Sequence, residues 1–267
     1  MSRTIAPFGR RAATVTAHTR HGAYVVIRCH DAAGPTPRAG QFYMLASAER
    51  WGGGEGERPF LPRAFSVLRV RGRELDFLIE DVGPGTKRLC ELGPGAELLL
   101  VGPLGNGFAP PRENREALLV GGGVGIAPLA IWQDELDVPT PLLLGFRDAA
   151  HARGAALLTG AAIATDDGSV GHHGLVTELL EEELDARGEE LEVYACGPPA
   201  MLEAVRAMCV DRDVPAQLAL ESGMACGFGA CFGCVVPTTD GYVRLCLDGP
   251  VLDARRLETA AVAGAGH

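Results

Sequence analysis

The sequence lacks the features of nucleic-acid-binding, membrane-spanning and secreted proteins. Its formal net charge is -10 at pH 7, and it has no cluster of Lys and Arg that could neutralise phosphates, which excludes a nucleic-acid partner. Residues 1–10 contain no apolar core of about 7 to 15 residues, and no apolar run approaches the roughly 18 residues of a membrane-spanning helix. These absences predict a cytoplasmic protein that does not bind a membrane.

Glycine and proline are abundant, with 36 and 18 residues, and 47% of the 267 residues are hydrophobic. This composition suits strands joined by tight turns rather than a helical bundle. The chain is long enough to form two packed domains and a small additional segment.

The first part of the chain, residues 12–108, consists of short segments in which apolar and polar residues alternate between Gly and Pro turns. Such closely spaced strands predict a β-barrel, and residues 1–112 are therefore predicted to form a barrel domain. The Gly-rich stretch 51–57 is expected to be a loop without chemistry. The predicted strands are 23–29, 42–46, 65–70, 74–80 and 97–101.

The pattern changes after residue 112 to strand, glycine turn, helix and strand, which predicts an α/β domain with a parallel sheet over residues 113–220. Residues 221–267 are predicted to form a small cysteine-rich segment. The predicted strands of the α/β domain are 117–120, 141–146, 161–164 and 191–195, and its predicted helices are 126–136, 175–187 and 199–211.

Four of the eight cysteines lie close together in this last segment, in the order Cys226, Cys231, Cys234 and Cys246. The run C-x4-C-x2-C with a distant fourth cysteine is the plant-type spacing for a 2Fe-2S cluster. Glycines at 227, 229 and 233 would let the backbone wrap around the cluster. A zinc site is the alternative, although four-cysteine zinc sites usually consist of two short C-x2-C pairs.

Two further motifs suit the phosphates of a flavin. Arg63-Ala64-Phe65-Ser66 begins a β segment, and an arginine can bind pyrophosphate through two hydrogen bonds. Gly85-Thr86 lies at the head of a short helix, where Thr86 is expected to cap the helix and free N–H groups attract phosphate. Each motif is also common as plain structure, so a strand and a helix start remain the alternatives.

The glycine turn 121–125 lies between a strand and a helix, where the backbone can approach the phosphates of a dinucleotide. Pro128 stands where the strict fingerprint has its third glycine, so a purely structural turn remains an alternative. Cys196-Gly197-Pro198 ends a later strand at the same edge of the sheet, where Cys196 could face a nicotinamide or be a small buried hydrophobe.

The order of these motifs resembles the ferredoxin-NADP reductase superfamily over about residues 12–253, and within it the electron-transfer subunits of class B dihydroorotate dehydrogenases. The resemblance implies FAD, NAD(H) as substrate and a 2Fe-2S cluster. It places FAD against Arg63, Ala64, Phe65, Ser66, Leu78, Ile79, Glu80, Gly85 and Thr86. It places NAD(H) against Gly122, Gly123, Gly125, Cys196, Gly197 and Pro198, and the cluster on the four cysteines.

The resemblance also implies an FMN-containing catalytic dihydroorotate dehydrogenase subunit as partner, in a heterotetramer with two copies of each chain, acting in pyrimidine biosynthesis. A flavin must stand between a two-electron hydride donor and a one-electron cluster, and the hydride step needs no general base. No catalytic residue is therefore nominated, and His151, His172 and His173 are expected to be exposed loop residues. An NAD(P)H-dependent reductase serving ferredoxin or a hydrogenase is the alternative function.

Overall fold

The computed structural model of the chain describes residues 9–52 and 59–262, so most of the predicted Gly-rich loop lies outside the described residues. Six antiparallel strands close a barrel in the order β1-β2-β5-β4-β3-β6. A short helix, α1 (Pro84–Cys90), follows β5. The strands are β1 (Arg11–His21), β2 (Tyr24–His30), β3 (Phe42–Ser47), β4 (Arg63–Arg71), β5 (Glu74–Glu80) and β6 (Glu97–Leu104).

Both faces of β3 are buried, because its alternating side chains enter two different apolar cores. Tyr43 and Leu45 belong to the larger core, which includes the interior of the barrel. Phe42 and Met44 pack instead with residues of the cysteine-rich segment, among them Cys234. The outer face of the barrel is therefore the platform on which the cysteine-rich segment rests.

The second domain is a seven-stranded sheet in the order β10-β9-β8-β7-β11-β12-β15. Its strands pair in parallel except for β15, which pairs antiparallel with β12. The strands are β7 (Glu116–Gly122), β8 (Leu142–Phe146), β9 (Ala161–Thr165), β10 (His172–His173), β11 (Leu191–Cys196), β12 (Ala216–Ala219) and β15 (Val251–Asp253).

Helices flank this sheet, and the longer ones follow the parallel strands as in βαβ units. Short 3-10 turns lie at Gly123–Gly125, Arg153–Leu157, Gly188–Glu190 and Ala254–Arg256. No helix within residues 9–52 and 59–262 is long and apolar enough to cross a membrane. The helices are α2 (Ile126–Leu136), α3 (Ala149–Ala152), α4 (Val176–Arg187) and α5 (Pro199–Asp211).

The cysteine-rich segment contains a hairpin of β13 (Val235–Thr238) and β14 (Gly241–Arg244), followed by the one-turn helix α6 (Leu245–Asp248). The chain then enters β15 and so completes the α/β sheet. The predicted fold class, a barrel with a parallel-sheet α/β domain and a small cysteine-rich segment, is confirmed. The predicted domain boundaries at residues 112 and 220 stay predictions.

The barrel and the α/β domain contact each other through α2, which lies against β4. Arg69 of β4 forms an ion pair with Asp134 of α2 at 2.7 Å. Glu135 of the same helix accepts a hydrogen bond from the backbone N–H of Ala39 at 2.9 Å. These contacts lie at the domain interface, where residues of the barrel and of α2 share the larger apolar core.

Candidate flavin, nucleotide and iron-sulfur site

A cavity of about 500 Å³ lies where the barrel, the α/β domain and the cysteine-rich segment meet. The barrel contributes residues 63–66 of β4 together with Leu78 and Thr86. The turn after β7 contributes Val124, Gly125 and Ala127. The cysteine-rich segment contributes residues 221–225 and Gly233. The structure thus places the two predicted cofactor motifs and the predicted cluster loop around one cavity.

Arg63 is the basic residue in the wall of this cavity. One of its guanidinium nitrogens donates to the carbonyl of Leu61 at 2.7 Å, and the guanidinium carbon lies 6.0 Å from the centre of the Trp51 ring. Gly85 lies so close to Arg63 that a Cβ atom at position 85 would stand 2.8 Å from Arg63 Nε. Arg63 and Gly85, both predicted to contact FAD, are therefore neighbours, and the absence of a side chain at Gly85 makes this approach possible.

Thr86 caps the start of α1, as predicted, from the third position of the helix. Thr86 is the third residue of α1, not the residue before it, and its side-chain oxygen accepts hydrogen bonds from the N–H groups of Val82 and Gly83 at 2.9 and 3.0 Å. Thr86 therefore satisfies free N–H groups at the start of the helix from inside its first turn. The helix ends at Cys90.

The three β5 residues predicted along the flavin edge have different surroundings. Leu78 lines the cavity and is also part of the larger apolar core. Ile79 belongs to the same core but does not line the cavity, because successive side chains of a strand point to opposite faces. Glu80 contacts Arg147 and His151 of the α/β domain. Contacts of Ile79 and Glu80 with FAD stay predictions.

Glu221 and Ser222 also line the cavity, although the sequence reasoning did not nominate them as site residues. Burial raises the pKa of Glu221, which favours the neutral carboxylic acid. The hydroxyl oxygen of Ser222 is buried and has no hydrogen-bond partner among the described residues. Their place just after β12, at the carboxyl edge of the sheet, is the signal that could have identified them.

The glycine turn 121–125 contains three closely packed glycines and one open glycine. A Cβ atom at Gly125 would stand 2.4 Å from the carbonyl oxygen of Cys196, and one at Gly122 would stand 2.7 Å from the sulfur of Met201. Gly123 has a φ of 55° and no atom within 4 Å of the Cβ position. The turn therefore packs against the predicted Cys196-Gly197-Pro198 corner, and Gly123 leaves its outer surface open.

Cys196 is almost fully buried at the end of β11. Burial raises the pKa of its thiol well above the usual value, and the nearby Glu221 raises it further. A thiol in these surroundings is not a reactive nucleophile. A contact of Cys196 with the nicotinamide stays a prediction.

The cluster loop turns sharply at three residues with left-handed backbone. Gly227 and Gly229 have φ angles of 76° and 85°, as the glycine pattern predicts. The third such residue is Phe232, with a φ of 58°, and not Gly233. Arg244 holds this turn, because it donates to the carbonyl of Gly229 at 2.9 Å and its guanidinium carbon lies 5.0 Å from the centre of the Phe232 ring.

The loop directs backbone N–H groups at a cysteine sulfur. Burial raises the pKa of Cys226, but hydrogen bonds from the backbone N–H groups of Cys231, Phe228 and Ala230 lower it more, to about 7. The N–H of Gly233 donates to the sulfur of Cys231 at 3.5 Å. A thiolate is the form that binds iron, so the loop is suited to hold cysteine ligands of a metal cluster.

The four cysteine side chains are neighbours of one another. Cys226 contacts Cys231, and Cys234 contacts Cys246. Burial, the contact with Cys234 and the nearby Cys226 raise the pKa of Cys246 to about 12. Within residues 9–52 and 59–262, no three His, Cys, Asp or Glu side chains are grouped as ligands of a single ion. The spacing of the four cysteines, one C-x4-C-x2-C run and one distant cysteine, is what favours a 2Fe-2S cluster over a zinc site.

Comparison with known proteins identifies the family. Residues 221–258 match the model of the iron-sulfur cluster binding domain of dihydroorotate dehydrogenase B. The electron transfer subunit of dihydroorotate dehydrogenase B (NAD(+)) from Clostridium perfringens is 34% identical over 245 residues, covering 89% of this chain and 92% of that protein. The subunit of the same name from Geobacillus sp. is 40% identical over 210 residues, covering 73% and 79%.

Solved structures with the same fold include an NADH-dependent reduced ferredoxin-NADP oxidoreductase, with a TM-score of 0.75 and 24% identity over 95% of this chain and 92% of that chain. A ferredoxin reductase in carbazole 1,9a-dioxygenase gives a TM-score of 0.66 and 24% identity over 77% and 66%. These two likenesses show the fold alone. On its similarity to the curated subunits over most of its length, the chain belongs to the family of electron transfer subunits of dihydroorotate dehydrogenase B (NAD(+)).

Proposed function

We propose that this chain carries electrons between NAD(H) and a catalytic dihydroorotate dehydrogenase subunit through bound FAD and a 2Fe-2S cluster. When bound, FAD supplies the exchange between a two-electron hydride donor and a one-electron acceptor. The chain's own residues bind the cofactors, orient them and keep them close together. The proposal follows from the family of the chain and from the shared cavity of its three parts.

The observation that carries the proposal is the wall between the cavity and the cysteines. Gly233 lines the cavity, and its N–H donates to the sulfur of Cys231 at 3.5 Å. Ala225 also lines the cavity and precedes Cys226 directly. A flavin in this cavity would therefore be one residue away from the ligands of the cluster, which favours direct electron transfer between them.

We assign the residue roles as follows. Arg63 binds the FAD pyrophosphate, because a guanidinium can donate two parallel hydrogen bonds to it. Phe65, Ser66 and Leu78 lie in the cavity wall, where they would contact the isoalloxazine. Gly123 has an open surface, where its backbone would approach the diphosphate of NAD(H). The cluster ligands are Cys226, Cys231, Cys234 and Cys246.

A separate catalytic subunit is expected to bind dihydroorotate. The described residues form a closed barrel, a seven-stranded sheet and a two-stranded hairpin, not the (β/α)8 barrel of about 250 residues that could hold a pyrimidine and FMN. We propose a heterotetramer with two copies of each subunit. The exposed Phe228 and Phe232, beside the exposed Cys231, mark the face where the catalytic subunit docks.

None of the eight cysteines forms a disulfide bond in the structure. Free thiols and thiolate ligands persist in a reducing compartment, which supports our proposal that the protein acts in the cytoplasm. Pyrimidine biosynthesis is the pathway that the family name indicates.

The test is an assay of the purified chain with and without its catalytic subunit. We expect the chain alone to reduce a one-electron dye with NADH and to show no turnover with dihydroorotate and NAD. Adding the catalytic subunit should give dihydroorotate-dependent reduction of NAD. Robust dihydroorotate turnover by the chain alone would contradict the division of labour.

Two surface variants test the docking face. Phe228→Ser should weaken the catalytic subunit's binding while NADH-dependent dye reduction and the visible spectrum of the cluster stay unchanged. Val138→Ser is the matched control, since Val138 is equally apolar and exposed but lies in the loop before β8, at the opposite edge of the sheet. Activity with ferredoxin or a hydrogenase, and none with the catalytic subunit, would favour the alternative reductase function.

A further inference from the structure

Glu80 connects the flavin side of the barrel to the α/β domain. It is the last residue of β5, two positions after the cavity residue Leu78, so the two side chains share a face of the strand. Arg147, which follows β8, donates to the Glu80 carboxylate. His151 Nε2 lies 3.2 Å from the same carboxylate oxygen. One barrel carboxylate therefore contacts two basic side chains of the other domain.

His151 is held in place from two sides, contrary to the expectation of an exposed loop residue. Its Nδ1 lies 2.7 Å from the Asp148 carboxylate, which also accepts the backbone N–H of Ala150 and so caps α3. Its ring meets the ring of Tyr24 edge to face, with centroids 5.6 Å apart. Tyr24 is the partner of Glu80 in the pairing of β2 with β5. The contact thus joins three elements of the barrel and α/β domain.

The backbones of the two domains also touch at this point. The N–H of Ala23, in the turn between β1 and β2, donates to the carbonyl of Ala150 at 3.1 Å. A Cβ atom at Gly22 would stand 1.9 Å from that carbonyl oxygen, so only glycine allows the approach. A hydrogen bond and a close packing contact of this kind indicate a fixed interface rather than a chance surface contact.

The contact between Glu80, Arg147 and His151 lies close to the turn that is proposed to bind NAD(H). Gly145 of β8 pairs with Gly122, next to the open glycine of the nucleotide turn, and Arg147 follows two residues later. The contact therefore lies between the flavin-facing strand and the nucleotide-binding edge. We propose that Glu80, Arg147 and His151 form an interdomain latch that aligns the nicotinamide bound by the α/β domain with the flavin held by the barrel. This inference rests on the proposed function.

The ion pair of Glu80 with Arg147 is partly exposed, because Glu80 is 18% but Arg147 is 58% exposed. His151, 13% exposed, covers the Glu80 carboxylate from the buried side. The interdomain pair of Arg69 and Asp134 has a similar exposure, 21% and 52%, and lies on the α2 side of the interface. Asp134 therefore provides a matched control at the same domain interface.

The experiment uses Glu80→Gln, Arg147→Gln and the double variant in the cofactor-loaded protein. Each single variant should slow flavin reduction at saturating NADH about threefold to tenfold, because misalignment acts on the hydride step. The double variant should be no slower than the slower single one, since both remove the same interaction. In Arg147→Gln, FAD content and the Kd of NADH should stay unchanged, and Asp134→Asn should react like the parent protein.

A second readout does not depend on cofactor chemistry. The backbone N–H of Ala23 should exchange with deuterium faster in both single variants, because its bond to Ala150 opens with the latch. This measurement tests the latch even if the parent protein fails to react with NADH, an outcome that would refute the proposed function alone.

Three results would overturn the latch. Unchanged flavin reduction and unchanged exchange at Ala23 would show that the contact positions nothing. Effects of the single variants that multiply in the double variant would show that Glu80 and Arg147 act independently. A raised Kd of NADH in Arg147→Gln, with Glu80→Gln unaffected, would make Arg147 a nucleotide ligand instead.

Discussion

Gly227 anchors the cluster loop on the outer face of the barrel, and Gly227→Ala should therefore destabilise the protein strongly. The φ of 76° costs an alanine about 1–2 kcal/mol, because its Cβ crowds the backbone in left-handed conformation. The new Cβ would also stand 2.5 Å from Met44 Cγ and 3.0 Å from Leu104 Cδ1. Overpacking of a filled core adds about 1–3 kcal/mol. The expected loss is thus about 2–5 kcal/mol.

Gly72→Ala is the control that separates these two costs. Gly72 has a φ of 63° but nothing within 4 Å of its Cβ position, so it should lose only the conformational term of about 1–2 kcal/mol. The assay is denaturant unfolding of the cluster-loaded protein, followed by tryptophan fluorescence and by visible absorbance of the cluster. Equal losses for the two variants would refute the packing of the loop against Met44 and Leu104.

Two further predictions concern cofactor binding and pH. Arg63→Ala should weaken FAD binding by about 1.5–3 kcal/mol, or roughly tenfold to a hundredfold, because a charge-assisted contact to pyrophosphate is lost. Full retention of FAD by the variant after dialysis would count against this role of Arg63. Hydrogen bonds from Arg206, and from Ala260 and Thr259, hold the pKa of Glu203 at about 2, so its contribution to stability is present above about pH 4.5 and is lost as the pH falls toward 2. Since the Glu203 side chain is 32% exposed, Glu203→Gln should lower the free energy of unfolding by only about 1 kcal/mol at pH 7. The variant should also lose less stability than the parent protein as the pH falls from 4.5 toward 2. An unchanged loss of stability over this pH range would show that the carboxylate does not tie the C-terminal residues to α5.

Elements with local boundary signals were predictable from the sequence. The helices Ile126–Leu136 and Pro199–Asp211 and the strand Glu74–Glu80 lie at the predicted positions. These segments are bounded by Gly, Pro or charged residues, which are local signals. The cysteine spacing was equally informative, because the ligand pattern of a cluster is local in sequence.

Features that depend on distant parts of the chain were not predictable. The strand Val251–Asp253 has only three residues, and it exists because it can pair with Ala216–Ala219, a strand that is also too short to recognise. The left-handed conformation of Phe232 depends on Arg244, and the buried position of His151 depends on Glu80 of the other domain. The burial of Glu221 likewise needs three parts of the chain to meet around the cavity.

Cofactor content of anaerobically purified protein most directly tests whether the chain holds FAD beside a 2Fe-2S cluster. We expect two irons, two acid-labile sulfides and one FAD per chain, with the iron and sulfide lost when Cys226 or Cys234 is replaced by serine and the FAD retained. One zinc per chain with no labile sulfide and no flavin would contradict this expectation.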